Sequence, residues 1–431
     1  MRVGGTIPLG SADLQKAIVL QVGIEYGVMA ELDELTAQCI RCGFCLESCP
    51  TFVITSDESQ SPRGRIQLAR SFADSGEWDD GAEAAIDSCL GCRACETACP
   101  SGVQYGKILE LARRDMPKSK QSGARRLMLR QLSSPKIAAL QFRLAEFYPG
   151  NRMPRMLSSL LSGERAEAEI PKIPEPALFP PLEESDLPPV RGEVYLLLGC
   201  VMHALYPHVH EATRRLLRRV GFSVREIDPV CCGAMQAHSG YLQDAEEQAQ
   251  KLAKAFSEDL PIVVNAAGCG STIKEYGQLI GEGLAPVGKR SIDIIEFLSQ
   301  QGLEEMLVES RGLPGLTITY HDACHLIHGQ RISAQPRRLL QSIPGINFVE
   351  LKESAMCCGS AGTYNIFQPK MARTLLERKW RNIEMTSANI LASGNPGCDA
   401  WIAQAAREKG ADIRVMHTAD VLESSFVGLE R

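Results

Sequence analysis

The sixteen cysteines of this 431-residue chain fall into four quartets, which constrain its fold more than any other feature. The first quartet, Cys39, Cys42, Cys45 and Cys49, has the spacing C-x2-C-x2-C-x3-C and is followed by proline. The same pattern returns fifty positions later as Cys89, Cys92, Cys95 and Cys99. Three cysteines on such a loop surround one iron–sulfur cube, and the fourth reaches the neighbouring cube. The repeat therefore predicts two 4Fe-4S clusters.

The same rule assigns ligands to each predicted cluster. One cluster is expected on Cys39, Cys42, Cys45 and Cys99, and the other on Cys89, Cys92, Cys95 and Cys49. Structural zinc prefers paired C-x2-4-C knuckles, and a third cysteine three residues on departs from that pattern. Disulfides are disfavoured because Met1 to Gly10 lacks the features of an export signal, so a reducing compartment is expected.

Length and composition are those of a soluble protein with several domains. At 431 residues the chain predicts two to four domains, and its 44% apolar and 23% charged residues are ordinary for globular proteins. No stretch approaches the roughly 18 apolar residues that cross a bilayer. We expect a cytoplasmic protein, or one bound peripherally to the inner face of the cell membrane.

Positive charge is concentrated in one segment of this acidic chain. Residues 107–165 hold thirteen Lys or Arg and four Asp or Glu, whereas the whole chain has a net charge of -6. Runs at 125–130 and 136–144 predict basic amphipathic helices, which can lie on anionic lipid, dock a partner or pack on the protein's own core. Nucleic acid is not an expected partner, since no nucleic-acid-binding signature accompanies these charges.

The remaining half of the chain is a second, looser duplication. Strands are predicted at 193–198 and 316–320, each ending near a cysteine, and a later strand in each copy runs into Cys-Cys-Gly. A third strand in each copy, at 261–264 and at 388–392, leads to a lone cysteine after glycine. The two quartets are Cys200, Cys231, Cys232 and Cys269, and Cys324, Cys357, Cys358 and Cys398. Strands alternating with helices predict a small parallel sheet in each copy, with its cysteines beyond the carboxyl ends of the strands.

These patterns predict an α+β multidomain protein. A mostly helical, ferredoxin-type two-cluster domain is expected at 1–170, and a linker at 171–191, where seven of the twenty residues from 171 to 190 are proline. Two repeated α/β cysteine-rich modules follow at 192–313 and 314–431. Each Cys-Cys-Gly crevice is a candidate for a further iron–sulfur cluster, a zinc ion or a redox-active dithiol. His321, His325 and His328 surround Cys324, and we expect them to tune a centre by hydrogen bonding rather than to bind it.

The chain resembles the iron–sulfur subunit of bacterial glycolate oxidase. The resemblance rests on the paired cysteine motifs, the Pro62-Arg63-Gly64-Arg65-Ile66 turn, the Cys-Cys-Gly modules and the segment from Cys357 to Tyr364. More loosely, it is similar to iron–sulfur proteins of lactate oxidation and anaerobic glycerol-3-phosphate dehydrogenase, and its modules to the cysteine-rich subunit of heterodisulfide reductase. The heterodisulfide reductase module closes with a C-x2-C pair, whose first position is Ala266 or Asn395 here, so its five-cysteine cluster is not expected.

The resemblance implies an electron-transfer subunit with two 4Fe-4S clusters and no substrate site of its own. FAD-containing partner subunits would oxidise glycolate or another 2-hydroxy acid, and a membrane quinone or another respiratory acceptor would receive the electrons. An alternative is a subunit whose C-terminal crevice itself reduces a thiol-linked or disulfide acceptor. A third is the iron–sulfur subunit of a lactate or glycerol-3-phosphate dehydrogenase.

Overall fold

The N-terminal region is built almost entirely from helices. The computed structural model describes residues 30–116, 120–146 and 179–429. Within the first two ranges, helices span 30–37, Pro50–Thr55, Pro62–Ser75, Asp80–Asp87, Ala94–Thr97, Tyr105–Asp115, Lys120–Leu132 and Pro135–Glu146, with a 3₁₀ turn at Glu58–Gln60. The third begins where Ser61 Oγ accepts a hydrogen bond from the Gly64 amide, with Pro62 in the first turn. The first four-cysteine motif lies in the loop before Pro50–Thr55, and the second lies between Asp80–Asp87 and Tyr105–Asp115, with Cys95 in the short helix Ala94–Thr97.

The first cysteine-rich module contains a parallel sheet of four strands in the order β2-β1-β3-β4. The strands are β1 (Gly192–Leu197), β2 (Phe222–Arg225), β3 (Ile262–Val264) and β4 (Ser291–Asp293). Helices cover it at Val201–Leu205, Pro207–Arg219, Ala234–His238, Leu242–Ala255, Ala267–Lys274, Tyr276–Leu279, Ala285–Arg290, Ile294–Gln300 and Leu303–Val308, with a 3₁₀ turn at Glu282–Leu284.

The second module repeats this topology, with strand order β6-β5-β7-β8. Its strands are β5 (Thr317–Tyr320), β6 (Asn347–Phe348), β7 (Ile390–Ser393) and β8 (Arg414–His417). A π-helical turn at His325–Gly329 is followed by helices at Ala334–Gln341, Tyr364–Phe367, Pro369–Glu384, Pro396–Glu408 and Thr418–Val427. The predicted fold class, a helical region followed by two modules with small parallel sheets, is confirmed.

The two sheets correspond residue by residue near their cysteines. In the first sheet Leu196 pairs with Val263, which lies six residues before Cys269. In the second, Tyr320 pairs with Ala392, which lies six residues before Cys398. The duplication therefore extends to strand register.

The glycine of each Cys-Cys-Gly allows the backbone to approach a helix closely. Gly233 and Gly359 have φ angles of +76° and +92°, in the left-handed region. A Cβ at Gly233 would lie 2.8 Å from the Ala245 carbonyl oxygen, and one at Gly359 would lie 2.5 Å from that of Ala372. Both positions therefore require glycine, because of the positive φ and because of the close approach to the helix.

The two modules share one apolar core. It joins residues of both sheets and their covering helices, among them Val194, Leu216, Ile318, Ile390 and Leu422. The predicted linker lies partly outside the described residues, which resume at Phe179. In the described part, Arg215 and Arg218 donate hydrogen bonds to the carbonyl oxygens of Pro180 and Pro188, so this segment packs on the helix Pro207–Arg219.

Among the helices of the described residues, none combines the length and the apolar character that crossing a bilayer requires.

Candidate metal centres

The first candidate centre, site A, is a small cavity lined by Cys39, Cys42, Cys45 and Cys99. The first three lie on the loop between helices 30–37 and Pro50–Thr55, where Arg41 and Gly43 have positive φ angles of 58° and 87°. These angles curl the loop around the cavity, and Cys99 enters from the second motif. Cys42 is exposed to solvent.

The second candidate centre, site B, is a neighbouring cavity lined by Cys49, Cys89, Cys92 and Cys95. Its loop repeats the conformation of site A, with positive φ at Gly91 and Arg93. Cys95 and Tyr105 line both cavities, so the two sites are adjacent. In each cavity the structure brings together the four cysteines predicted to hold one cluster, three from one motif and one from the other. That each of these cysteines binds a cluster stays a prediction.

A buried arginine that sequence reasoning overlooked lies beside site B. Arg65 is only 1% exposed, and its Nη1 lies 3.9 Å from Cys49 Sγ. Its other contacts are neutral oxygens, including the carbonyls of Ala85 and Gln60, and no carboxylate of the described residues pairs with it. A buried cation needs a negative partner, and a set of thiolates supplies one. The Pro-Arg-Gly-Arg run was the available signal, but spacing alone does not tell which arginine turns inward.

The electrostatics of Cys89 agree with a thiolate at site B. Burial acts to raise the pKa of Cys89, but Arg65 and Arg113, with a hydrogen bond from Tyr105, outweigh it and lower that pKa. Four convergent thiols, a cavity and an uncompensated buried cation fit an anionic iron–sulfur cluster. They fit a disulfide poorly, because a neutral disulfide would leave the charge of Arg65 unbalanced.

Both C-terminal quartets border one crevice between the modules. Cys200 follows β1, Cys231 and Cys232 follow β2, and Cys269 lies in the helix after β3. The second quartet occupies the corresponding places after β5, β6 and β7. A cavity of about 200 Å³ is lined by all of the first quartet and by Cys324, Cys357 and Cys398 of the second. The sequence predicted one crevice for each module, whereas the structure has a shared one, because the carboxyl ends of the two sheets face each other.

Polar contacts across the crevice hold this arrangement. The Ala267 amide donates to the Gly394 carbonyl, and the Gly268 amide donates to Asn395 Oδ1 at 3.2 Å. Asn395 Nδ2 lies 3.6 Å from Cys398 Sγ. Asn395, which stands where the relative with a C-x2-C pair has a cysteine, therefore joins the two modules instead of offering a further thiolate.

Within each C-terminal quartet, neighbouring thiols influence one another's pKa in chain order. Cys200 interacts with Cys231, which interacts with Cys232, and Cys232 with Cys269. Contact with Cys231 and burial raise the pKa of Cys200 well above its usual range.

The second quartet behaves in the same way. Cys324, Cys357, Cys358 and Cys398 form the corresponding chain of contacts, and contact with Cys357 and burial raise the pKa of Cys324. Such thiols are protonated in the absence of a metal, so metal binding must release protons from both quartets.

The three histidines around Cys324 have different surroundings. His325 Nε2 lies 3.1 Å from the Gly91 carbonyl oxygen, and His328 Nδ1 lies 2.9 Å from Thr97 Oγ1. These two side chains fasten the second module to the loop of site B. His321 is fully buried beside Cys358 and Cys398 instead, and burial, followed by Lys379, lowers its pKa well below the usual range.

The loop of site B is held by both modules. Arg93 forms an ion pair with Glu275 of the first module at 2.5 Å, and Tyr364 of the second donates to the Ser88 carbonyl at 2.9 Å. Cys89 lines the crevice, and Cys92 shares an apolar cluster with Cys324. The candidate centres therefore follow in the order site A, site B, crevice.

The basic helices pack largely on the protein itself. Arg126 and Arg130 both bind the Asp244 carboxylate, and Arg125 binds Asp87. Leu129 and Ala138 are fully buried on the inner side. The sequence left open whether these helices lie on lipid, dock a partner or pack on the protein's own core. Packing on the core is observed for these residues. Leu127, Ile137, Leu140 and Leu144 remain exposed on the outer side.

Known protein families match each of these parts. A 4Fe-4S dicluster domain matches residues 36–103, and a cysteine-rich domain matches twice, at 194–274 and 318–403. The dicluster match covers the cysteines of sites A and B, and the two others contain all eight cysteines of the C-terminal quartets and most of the two sheets.

Full-length relatives are also found. The chain is 32% identical to the probable glycolate oxidase iron-sulfur subunit of Bacillus subtilis, over 89% of this chain and 92% of the relative. It is 29% identical to the glycolate oxidase iron-sulfur subunit of Escherichia coli, over 92% of this chain and 95% of the relative. Lactate utilization protein A of Oceanobacillus iheyensis is 30% identical over 55% of this chain and 98% of its own length.

Proposed function

This chain belongs to the family of the glycolate oxidase iron-sulfur subunits, and we propose that it carries electrons from FAD-containing partners to a membrane quinone. The role of iron–sulfur electron-transfer subunit follows from the family and its domains. The substrate, the partners and the acceptor are the proposed part. We assign glycolate, or a closely related 2-hydroxy acid, to the partner subunits.

The proposed reaction balances without a substrate site on this chain. A 2-hydroxy acid gives up two electrons and two protons to become a 2-oxo acid, and the partner's FAD takes up the electrons as a pair. Iron–sulfur clusters, when bound, supply one-electron transfer. A quinone at the far end gains two electrons and two protons. This chain's residues hold the centres in order, exclude water from site B and compensate its charge with Arg65.

The observation that carries the proposal is the sequence of adjacent candidate centres. Site A shares Cys95 and Tyr105 with site B, and site B shares Cys89 with the crevice. Site A has an exposed cysteine, whereas the cysteines of site B are buried. Such an arrangement favours entry of electrons at site A and their passage inward.

Exposed apolar side chains next to site A support a docking place for the flavoprotein. Ile40 is 68% exposed and Phe44 is 70% exposed, one on each side of Cys42. Large exposed apolar groups beside a redox centre fit a protein interface. We assign this patch, Ile40 with Phe44, to the FAD-containing partner.

The test is co-purification from the native host under anaerobic conditions. The tagged wild-type chain is expected to bring down an FAD-containing protein and to reduce a quinone analogue when glycolate is added. The double variant Ile40→Asp/Phe44→Asp is expected to lose the flavoprotein, since it places charges in an apolar interface. Val308→Asp is the matched control, because Val308 is 63% exposed and lies in the first module.

A second variant separates electron passage from docking. Cys92→Ser is expected to retain the flavoprotein and its FAD reduction by glycolate, but to stop quinone reduction at site B. Full activity of the isolated chain with glycolate, or quinone reduction unchanged by Cys92→Ser, would contradict the proposed role.

The shared crevice favours a second candidate function, the reduction of a disulfide acceptor. All four cysteines of the first quartet and three of the second border one cavity, so a disulfide bound there would meet thiols of both modules. Two electrons and two protons would convert that acceptor into two thiols. Electron delivery to a small disulfide, with no quinone requirement, favours this candidate, whereas quinone-dependent turnover favours the first.

Peripheral membrane attachment is also part of the proposal. Leu140 and Leu144 are 58% and 60% exposed on the basic helix Pro135–Glu146, beside the exposed Lys136. An apolar row flanked by positive charge suits the surface of an anionic membrane. Co-sedimentation with anionic vesicles is expected, and Leu140→Glu/Leu144→Glu is expected to reduce it. Equal sedimentation with neutral vesicles would contradict this attachment.

A further inference from the structure

His321 lies among cysteines but has no hydrogen-bonding role of its own. The residue is fully buried, and neither ring nitrogen makes a hydrogen bond of normal geometry to the described residues. A ring nitrogen of His321 and the sulfurs of Cys358 and Cys398 all lie within 4.8 Å of one another. An unpaired imidazole in a dry interior is costly unless another partner binds it.

The duplication provides an internal comparison for this position. Leu197 lies three residues before Cys200, as His321 lies three residues before Cys324, and the strand registers align the two. Leu197 packs in the apolar cluster that contains Cys232. The fold therefore accepts leucine here, and the histidine of the second module is not needed for packing.

The modules also differ at a second buried position, where the second module again has a polar side chain in place of a leucine. Lys379 follows Ala372 by seven residues, and Leu252 follows Ala245 by seven residues, where Ala372 and Ala245 are the helix contacts of the two Cys-Cys-Gly glycines. Lys379 is 2% exposed, and its ammonium donates to the carbonyls of Glu353 and Ser354. The second module thus has an imidazole and a cation where the first has two leucines.

We propose that the second module holds a metal centre in which His321 supplies a nitrogen ligand beside the thiolates of Cys358 and Cys398. We take Cys357, which precedes Cys358 and interacts with it, as the further donor. Three thiolates and one neutral imidazole on a divalent ion leave one negative charge, which the buried Lys379 ammonium balances.

The donor set defines the class of metal. Mixed imidazole and thiolate ligands suit Fe²⁺, alone or within a cluster, and Zn²⁺, and they disfavour Mg²⁺ and Ca²⁺. This inference is independent of the partner and acceptor proposed above, since it concerns metal binding by the isolated chain.

The experiment measures the metal and its ligands in the full chain, purified anaerobically. Wild-type protein is expected to contain iron or zinc beyond the roughly eight irons of two 4Fe-4S clusters. If that metal is iron, pulsed electron paramagnetic resonance should detect the strong ¹⁴N coupling of a bound imidazole. If it is zinc, X-ray absorption at the zinc edge should give a mixed nitrogen and sulfur shell.

Two variants of His321 make the test specific. His321→Leu, which introduces the residue of the first module, is expected to lose this one metal centre and retain the signals of sites A and B. His321→Cys is expected to retain the metal but lose the nitrogen signature. His210→Leu is the control, because His210 is also buried but lies in the first module, where it bonds Asn265.

The proposal is overturned by either of two results. One is wild-type protein with no metal beyond sites A and B. The other is a His321→Leu protein with the full metal content and an unchanged nitrogen signature. A fall in metal content for His210→Leu as large as that for His321→Leu would also refute it, since the loss would then reflect general destabilisation.

Discussion

Arg65 is the residue whose chemistry is most closely tied to site B. Its guanidinium is held by neutral oxygens of Thr51, Gln60 and Ala85, while Cys49 and Cys89 supply the nearby sulfur atoms. A fixed positive charge in a dry site favours the more negative redox state of a neighbouring centre, and the low dielectric strengthens this effect. Arg65 should therefore raise the reduction potential of the site B cluster.

Replacement of Arg65 by methionine should shift that potential to more negative values. Removing one charge at this distance is expected to lower it by on the order of 100 mV. The measurement is a redox titration of the anaerobic protein, followed by electron paramagnetic resonance. Arg65→Lys, which keeps the charge, serves as the control and should shift the potential much less. Identical midpoint potentials for Arg65→Met and wild type would disprove the electrostatic role.

Asp293 provides a pH-dependent contribution to stability. Burial raises its pKa from 3.8 to about 7, although its carboxylate accepts a hydrogen bond from the Ile295 amide. The folded pKa lies above the unfolded one. The contribution of Asp293 to the free energy of unfolding is therefore fully present below about pH 4 and is lost as the pH rises from there through 7. Asp293→Asn removes this loss and keeps the cap, so it should be more stable than wild type at pH 8, by up to about 4 kcal/mol.

Thermal unfolding between pH 5 and pH 8.5 measures this effect. The melting temperature of wild type should fall relative to that of Asp293→Asn as the pH rises from 5 to about 7, and the difference should level off above that pH. Parallel curves for the two proteins across this range would show that Asp293 does not titrate in the folded chain.

At the scale of single residues, prediction from sequence succeeded where covalent spacing limits the geometry. Cysteines two or three positions apart must share a loop, so Cys39, Cys42 and Cys45 could be grouped without a structure. Arg65 and His321 could not be assigned in this way, because their roles depend on contacts between segments that are distant along the chain.

The helix Lys120–Leu132 illustrates how one element is attached through charge. The Asp244 carboxylate, whose side chain is 4% exposed, accepts hydrogen bonds from both Arg126 and Arg130. The hydrogen bond from Arg126 has the largest effect on the pKa of Asp244. Together with the hydrogen bond from Arg130 it outweighs the effect of burial and lowers this pKa to about 2. Its folded pKa lies below the unfolded one, so this contribution is present above about pH 4 and is lost as the pH falls towards 2.

Asp244→Asn should loosen the helix at neutral pH by about 2 kcal/mol. Trypsin cleavage after the arginines of this helix is expected to become up to about thirtyfold faster, because local opening becomes easier. Asp259→Asn is the control, since the Asp259 side chain is fully exposed and lies 3.9 Å from its arginine partner. Equal cleavage rates for the two variants would contradict the docking role of Asp244.

Among the elements, the central strands were predicted from their apolar runs, but the fourth strand of each sheet was not. β4 and β8 lie at sheet edges, where one side needs no partner and the sequence is less uniformly apolar. The sequence predicts the second strands at 223–227 and 347–351, a few residues too long, since β2 and β6 end at Arg225 and Phe348. The length of an edge strand depends on its pairing with the neighbouring strand of the sheet. A local sequence pattern does not contain that information.

At the scale of the whole molecule, the loop of site B connects all three parts of the described chain. It bonds the first module through Arg93 and the second through His325, His328 and Tyr364. Thiolates at site B would also balance the buried charge of Arg65. Metal at site B should therefore stabilise the packing of the modules as well as the N-terminal region.

Removal of iron by an anaerobic chelator should lower the apparent melting temperature of the entire chain by several degrees or more. Calorimetry of the treated and untreated protein measures this change. Cys42→Ser is a useful comparison, because Cys42 is exposed at site A and its loss should affect the modules less. A melting temperature that iron removal leaves unchanged would separate site B from the stability of the modules.

The shared crevice marks the limit of prediction at this scale. Strand ends indicated where each quartet should lie, but the facing of the two sheets follows from a common core and from bonds such as Gly268 to Asn395. Neither leaves a periodic signal in the sequence. A duplication predicts two similar sites, and only their packing decides that both open into one space.

The exposure of Cys42, in contrast to the buried site B, has a consequence for how the molecule ages in air. Dioxygen reaches the outermost thiolates first, so oxidative damage should begin at the entrance and advance inward. A sample handled carelessly would then keep much of its colour and iron while having lost its contact with the electron donor. If such a preparation is inactive, the cause would be oxidative damage at its surface and not a defect of its buried centres.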